Sequence, residues 1–255
     1  MLSVFPIPAF TDNYIWVFTE GGLAYVVDPG ESAPVMNYLR EHQLTLGGIL
    51  ITHHHADHIG GIDDLLASFN VPVYGPHSMQ IPQISHPLSD GQTLTIGSRV
   101  FNIMEIPGHT LDHIAYFYDA ADPLVFCGDT LFAGGCGRIF EGTPAQMYTS
   151  LMALAELPIN TRICCTHEYT LSNLKFAQAV EPNNHALADR ISRATKLRDA
   201  NQPTLPSTLQ LELNTNPFLR AEATAVQKAA ELQRGSACQN PTEVFAAIRG
   251  WKDHF

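Results

Sequence analysis

Between Thr52 and Gly61 the chain reads Thr-His-His-His-Ala-Asp-His-Ile-Gly-Gly, which puts His53, His55, Asp57 and His58 within six residues of one another. Neutral imidazole and carboxylate are ligands for zinc, iron or manganese, and a site that keeps an open position beside them is catalytic rather than structural. If the segment starts out extended, the period of two sends His53 and His55 to one side and His54 to the other. Asp57 and His58 then fall on the turn that enters a helix. Three more donors follow apolar runs: His109 in Pro-Gly-His-Thr, Asp129 in Cys-Gly-Asp-Thr, and His167 in Cys-Thr-His-Glu-Tyr. All these segments share one pattern, an apolar strand ending in small or polar residues and then a ligand, so the seven donors are expected to converge on one edge of the fold. His42, His77, His86, His185 and His254 carry the ordinary reading of surface or hydrogen-bonded side chains, as does His54. His113 stands between packing and a supporting role behind the ligands.

The elements that must position these residues are read from periodicity. Apolar runs bounded by turn signals predict strands at 24–27, 48–52, 71–74, 93–96, 100–106, 124–127 and 163–165. Ile59, Ile62, Leu65, Leu66 and Phe69 have helical spacing, as do Met147, Leu151, Leu154 and Leu157. The result is a mixed α/β domain over residues 1–170. Residues 171–255 read as a smaller helical domain, with Leu187, Ile191 and Leu197 on one stripe, an Ala- and Glu-rich stretch from Ala221 to Leu232, and no convincing alternating strand. The last helix is marked by Asn240 as N-cap, Pro241 at its first position and Glu243 at its third.

Composition bounds the function. A chain of 255 residues, 45% hydrophobic and 15% charged, is long enough for a sizeable core and carries no repeat or low-complexity tract. Its formal charge of -11 repels polyanions, so an RNA partner is not expected and any anionic substrate must be small and locally held. Pro6 and Pro8 break the start of the chain, no basic leader precedes an apolar stretch, and no run reaches the roughly 18 apolar residues of a membrane span. Five cysteines, Cys127, Cys136, Cys164, Cys165 and Cys238, show neither metal-binding nor redox spacing. Free thiols in a reducing, cytoplasmic compartment follow as the expectation.

The Thr-His-x-His-x-Asp-His segment with the later histidine, aspartate and histidine resembles the metallo-β-lactamase superfamily. Within it the chain is similar to the glyoxalase II family of hydroxyacylglutathione hydrolases along nearly its whole length. That likeness is carried by Pro8-Ala-Phe-Thr-Asp-Asn-Tyr-Ile-Trp16, by Phe126 to Gly142 with its Gly-Cys-Gly-Arg, and by His167-Glu-Tyr-Thr-Leu-Ser-Asn-Leu-Lys175. It implies an αββα metallo-β-lactamase-like sandwich with a small C-terminal α-helical domain. It also implies a monomer that binds two divalent metal ions, zinc first and iron or manganese as alternatives. His53, His55 and His109 would hold one ion, Asp57, His58 and His167 the other, and Asp129 would bridge them together with a hydroxide. Asp57 and Asp129 with that hydroxide would form the catalytic group, and Asp28, in Val-Asp-Pro-Gly, would orient a ligand histidine from behind. Two divalent cations against two aspartates and a hydroxide leave the centre positive, suited to splitting a thioester whose thiolate leaves readily.

The implied substrate is an S-(2-hydroxyacyl)glutathione, typically S-D-lactoylglutathione, cleaved to D-lactate and glutathione. Arg138, Phe140, Tyr169, Arg249 and Lys252 would bind it, the last two lying three apart on one helix face. The chain departs from the family pattern at three positions: Arg138 where some members have Lys, Phe140 where some have Tyr, and Asp112 where Gly is usual. Two other readings are a mononuclear-iron oxidoreductase of the same superfamily, against which the second ligand set speaks, and a non-catalytic metal- or glutathione-binding module.

Overall fold

A computed structural model describes residues 2–255. Its contacts divide into two compact units. The first holds the chain up to Glu105 with Asp112–Gly128 and Cys164–His167; the second holds Ile106–Leu111, Asp129–Ile163 and Glu168–Phe255.

In the first unit one sheet runs in chain order through β1 (Val4–Ala9), β2 (Asn13–Glu20), β3 (Leu23–Val27), β4 (Thr45–Leu50), β5 (Val73–Pro76) and β6 (His86–Leu88). The first three strands pair antiparallel and the rest parallel. Parallel pairing requires crossovers, and these carry α1 (Ser32–Glu41), α2 (Ala56–Ile59) and α3 (Ile62–Ser68). The helices bury Val35, Leu39, Ile62 and Leu65 against Ile15, Val17, Val26 and Ile49 of the sheet.

A second sheet contains β7 (Thr93–Ile96), β8 (Arg99–Glu105), β9 (Ile114–Tyr118) and β10 (Leu124–Gly128), followed in order by the later strand Arg162–Cys165. Its inner face meets the first sheet through rings: Phe18 of β2 lies 5.5 Å from Phe101 and 6.1 Å from Phe126. Trp16, almost wholly buried, donates its indole N–H to the Cys165 carbonyl at 2.9 Å, and the Tyr14 amide donates to Thr166 O at 2.7 Å. These bonds pin the strand end that leads into His167.

Each strand expected from the apolar runs is present, with ends within three residues of those expected. The expected helix from Ile59 to Phe69 is two. Gly60 and Gly61 pack onto the turn after β3: a Cβ on Gly60 would lie 2.7 Å from Gly30 O, and one on Gly61 would lie 2.6 Å from Pro29 O. The helix breaks where that contact is made. Strands β1 and β2 carry no alternation signal, because β2 is buried on both faces and β1 contains Pro6 and Pro8. Proline is accommodated because β1 is an edge strand.

The second unit holds a two-residue-strand hairpin, β11 (Leu131–Phe132) and β12 (Gly135–Cys136), and the helix α4 (Pro144–Ala155). Beyond β13 (Arg162–Cys165) come α5 (Thr170–Val180), α6 (His185–Asp199), β14 (Ser207–Thr208), α7 (Leu209–Thr215), α8 (Thr224–Arg234) and α9 (Pro241–Lys252). The short β14, pairing with Arg162 and Ile163, is a strand where only helices were expected; two residues are too few to show alternation. Several helix starts carry side-chain caps. Thr143 and Gln146 form a reciprocal capping box, and Asn184 and Asn240 accept from Leu187 N and Glu243 N. Phe176, Phe218 and Phe245 form the aromatic core, with centroids 5.8 and 5.9 Å apart along the series. Among the described residues no helix is long and apolar enough to cross a membrane. Nor does any of the five cysteines form a disulfide; Cys127, Cys136, Cys164 and Cys165 are buried.

Candidate metal centre

The loop after β4 turns His53 and His55 to the same side, their Nε2 and Nδ1 atoms 3.1 Å apart. His54 points elsewhere, its Nδ1 at 3.0 Å from both oxygens of Asp112. The carboxylate at position 112, where the family pattern has Gly, therefore engages the one histidine of the run that faces away. Asp57 Oδ2 lies 3.6 Å from His58 Nε2 and 3.4 Å from His167 Nε2, and donor atoms of the three residues all fall within 4.8 Å of one another.

Behind the donors stands a set of hydrogen bonds that selects which ring nitrogen is presented. Asp28, buried and held at φ +53 in the left-handed region, accepts from the Thr52 amide at 2.8 Å and from the Thr52 hydroxyl at 2.7 Å. Its Oδ2 also accepts from His58 Nδ1 at 3.0 Å. Because the Thr52 hydroxyl gives its proton to Asp28, its oxygen can accept from His53 Nδ1, 3.0 Å away. Asp12 Oδ1 accepts from His167 Nδ1 at 2.9 Å, and Asn13 Nδ2 donates to Asp57 Oδ2 at 3.0 Å. With Nδ1 carrying the proton in His53, His58 and His167, each directs the lone pair of Nε2 toward the donor cluster.

The sequence placed Asp28 in this supporting role but assigned none to Asp12, Asn13 or Thr52. Asp12 and Asn13 lie in the Pro8–Trp16 stretch; two polar residues at the start of the apolar run Tyr14–Phe18 were the available signal. His113 packs flat beneath His53, centroids 4.6 Å apart and planes at 14°, with Nδ1 directed at Ile114 O. Gly128 ends β10 at φ +47, and a Cβ there would meet Thr52 Oγ1 at 2.4 Å, so only glycine permits both the turn and the approach.

In the second unit His109 Nε2 lies 3.5 Å from Asp129 Oδ2, and His109 Nδ1 donates to the Arg138 carbonyl at 2.7 Å. The same tautomer rule thus applies to His109. The Phe140 ring stands edge-on to His109 with its centroid 5.3 Å away, and Phe140 is 60% exposed. A cavity of about 280 Å³ is lined by Phe132, Cys136, Arg138, Tyr169, Arg249 and Lys252 among others. Four of the five residues expected to bind substrate are thereby brought together, and Phe140 is outside that lining.

The cations differ in how they are held. Arg249 is buried, donates to Cys136 O at 3.0 Å and to Asp253 Oδ1 at 3.1 Å, and lies over the Phe218 ring. Arg138, largely exposed, donates to the same Asp253 oxygen at 3.1 Å. Burial, and next the neighbouring Arg249 charge, hold the Lys252 ammonium below the ordinary lysine value, while burial pushes the Cys136 thiol up. Both shifts have burial as their first cause.

The donor spacings fit metal ions. Two ligands of a tetrahedral ion with bonds of about 2.0–2.1 Å lie about 3.3–3.4 Å apart. The donor pairs within each unit span 3.1 to 3.6 Å. Nitrogen and carboxylate oxygen are also the chemistry such ions accept.

The metallo-β-lactamase superfamily model matches residues 9–167, and a model described as the hydroxyacylglutathione hydrolase C-terminus matches residues 168–255. A crystal structure of ETHE1 from Myxococcus xanthus is similar with a TM-score of 0.66 and 23% identity, covering 99% of this chain and 98% of that one. The crystal structure of TTHA1623 in a di-iron-bound form is similar with a TM-score of 0.62 and 24% identity, covering 84% and 100%. Fold and donors together define a metallo-β-lactamase-fold α/β protein with a small helical C-terminal domain. A curated "Hydroxyacylglutathione hydrolase" from Pseudomonas paraeruginosa is 52% identical over 258 residues, all of both chains. The chain belongs to the hydroxyacylglutathione hydrolase family, glyoxalase II, of that superfamily.

Proposed function

We propose that this protein hydrolyses the thioester of S-(2-hydroxyacyl)glutathione, with S-D-lactoylglutathione giving D-lactate and glutathione, the second step of methylglyoxal detoxification. The observation that carries the reading is the 52% identity, end to end, with a relative named for that hydrolysis. The donor geometry supports it. His53, His55 and His109 would hold one ion, Asp57, His58 and His167 the other, and Asp129 would be shared. Zinc is the proposed metal, with iron or manganese as alternatives. We divide the chain functionally at residue 170, the part up to there catalytic and 171–255 contributing to glutathione binding; the family models meet three residues earlier, between 167 and 168.

When bound, two divalent ions lower the pKa of water to about 7 and stabilise developing oxyanion charge. The chain supplies everything around that chemistry. Asp57 and Asp129 balance part of the cationic charge. The neutral histidines add none, so the centre remains positive in an acidic protein. Asp28, Thr52, Asp12 and the Arg138 carbonyl keep four of the rings in one tautomer and orientation. Arg138, Arg249 and Lys252 would attract the carboxylate end of glutathione, and Tyr169 would offer a hydroxyl. Phe140, lacking one, would offer only its ring. Water is added across the C–S bond, and the departing thiolate, with an ordinary pKa of about 8.5, needs little help from an acid.

With free thiols and a charge of -11, we place the protein in the reducing cytoplasm, as a monomer whose partner is a small thioester rather than a nucleic acid. The test is hydrolysis of S-D-lactoylglutathione with parallel assay of lactate, thiol and bound metal. His55→Ala and Asp129→Ala should each lose metal and more than the roughly 10–100-fold that removal of an outer partner already costs. Full turnover in metal-depleted variants would end the reading.

A further inference from the structure

The hairpin β11–β12 stands between the candidate ligand Asp129 and Arg138, and it presents two groups to the cavity. The Phe132 ring meets Tyr169 edge-to-face with centroids 5.6 Å apart, and the Cys136 carbonyl accepts from Arg249. Two residues per strand cannot hold a hairpin in place. Its turn is held instead from helices far along the chain. Glu212, fully buried on α7, accepts the Gly134 amide at 2.8 Å. Asn216, fully buried just after α7, donates through Nδ2 to Phe132 O at 3.2 Å and Gly135 O at 2.9 Å. Asn173 of α5 donates to Ala133 O at 3.3 Å. All four residues of the turn thus have a backbone group held by one of three side chains.

Glu212 is in turn fixed by the buried Arg190 of α6. Its guanidinium forms a fork on both carboxylate oxygens and also donates to Thr215 Oγ1 at 2.7 Å and Ser207 Oγ at 3.2 Å. A buried ion pair is a poor source of net stability, because desolvation offsets the attraction, and its best-attested use is to specify one arrangement over others. Here the arrangement specified is that of the hairpin.

We propose that Glu212 and Asn216, with Arg190 behind them, are positioning residues for the glutathione-binding cavity. They hold the hairpin turn so that Phe132 and the Cys136 carbonyl set Tyr169 and Arg249 for the tripeptide. This rests on the proposed function. A glutamate and an asparagine that touch no substrate then govern affinity for the glutathione moiety rather than the rate of thioester cleavage.

The experiment uses the metal-replete full chain with Glu212→Gln and Asn216→Ala, steady-state kinetics on S-D-lactoylglutathione, and competitive inhibition by glutathione. Both variants should raise KM and the glutathione inhibition constant together, by about tenfold, with kcat within about twofold and bound metal unchanged. Asn216→Gln, which restores a carboxamide, should recover part of the loss. Unchanged KM and inhibition constant in folded variants would overturn the proposal, as would loss of kcat and metal in equal measure. If the variants fail to fold, amide exchange on the wild-type protein decides: Gly134 N–H should exchange among the slowest amides outside the sheets, and rapid exchange would overturn the proposal. Failure of the parent reading shows separately, as a wild-type protein that does not hydrolyse the thioester at all.

Discussion

The candidate ligands depend on residues that stand behind the donor cluster. Asp28 receives three hydrogen bonds on two oxygens, from Thr52 N, Thr52 Oγ1 and His58 Nδ1. Through Thr52 it also governs His53. Such convergence explains why an aspartate is kept in a left-handed backbone conformation that glycine would adopt more readily. In Asp28→Asn the carboxamide NH2 must face a donor wherever it is placed, either the Thr52 amide or the Thr52 hydroxyl and His58 Nδ1 together, so the support behind the ligands is broken in both orientations. Metal affinity should fall about 10–100-fold, measured by competition with a chelator. Wild-type affinity in that variant would show that Thr52 and His58 hold themselves. The alternation in His53-His54-His55 was legible because an extended backbone has only two sides. The Asp12–His167 bond was not, since 155 residues separate its partners.

Within the first unit the two sheets are also tied away from the candidate ligands. Glu20, at the end of β2, accepts from Ser98 N at 3.0 Å, from Ser98 Oγ at 2.7 Å and from Arg99 Nε at 2.9 Å, all in the turn and start of β8. The Ser98 hydroxyl and amide, then Arg99, draw the Glu20 pKa down from 4.5 to about 2. A carboxylate depressed in the folded state adds stability that is complete above its unfolded pKa and is lost as the pH falls through the folded one. The acid limb between pH 4.5 and about 2 should therefore be shallower in Glu20→Gln, followed as the urea midpoint against pH. Superposable profiles for variant and wild type would refute the assignment. Helix starts were readable at this scale because caps are local: Asn240, Pro241 and Glu243 act within one turn. β2 was unreadable because a strand covered on both faces has no period to show, and β14 because its pairing is decided by β13.

At the scale of the molecule, an acidic chain brings three cations, Arg138, Arg249 and Lys252, around one cavity, which on the proposed function would draw a small anion there. The strand ends are held by hydrogen bonds that need no ion. Removal of metal by a chelator should therefore abolish thioester turnover while leaving the far-UV circular dichroism and a cooperative, lower-temperature unfolding transition. Loss of secondary structure on chelation would instead make the metals part of the fold.

The sequence by itself determined the candidate donors, the strand-then-donor pattern, the helical character of the last third and the family, because side-chain chemistry, caps and periodicity are local properties of a chain. Only the tertiary structure decided which nitrogen each ring presents, that Asp112 engages His54, and that Glu212 and Asn216 reach the hairpin turn. Each of those outcomes is a hydrogen bond between residues far apart in sequence, and burial demands such a partner without naming it.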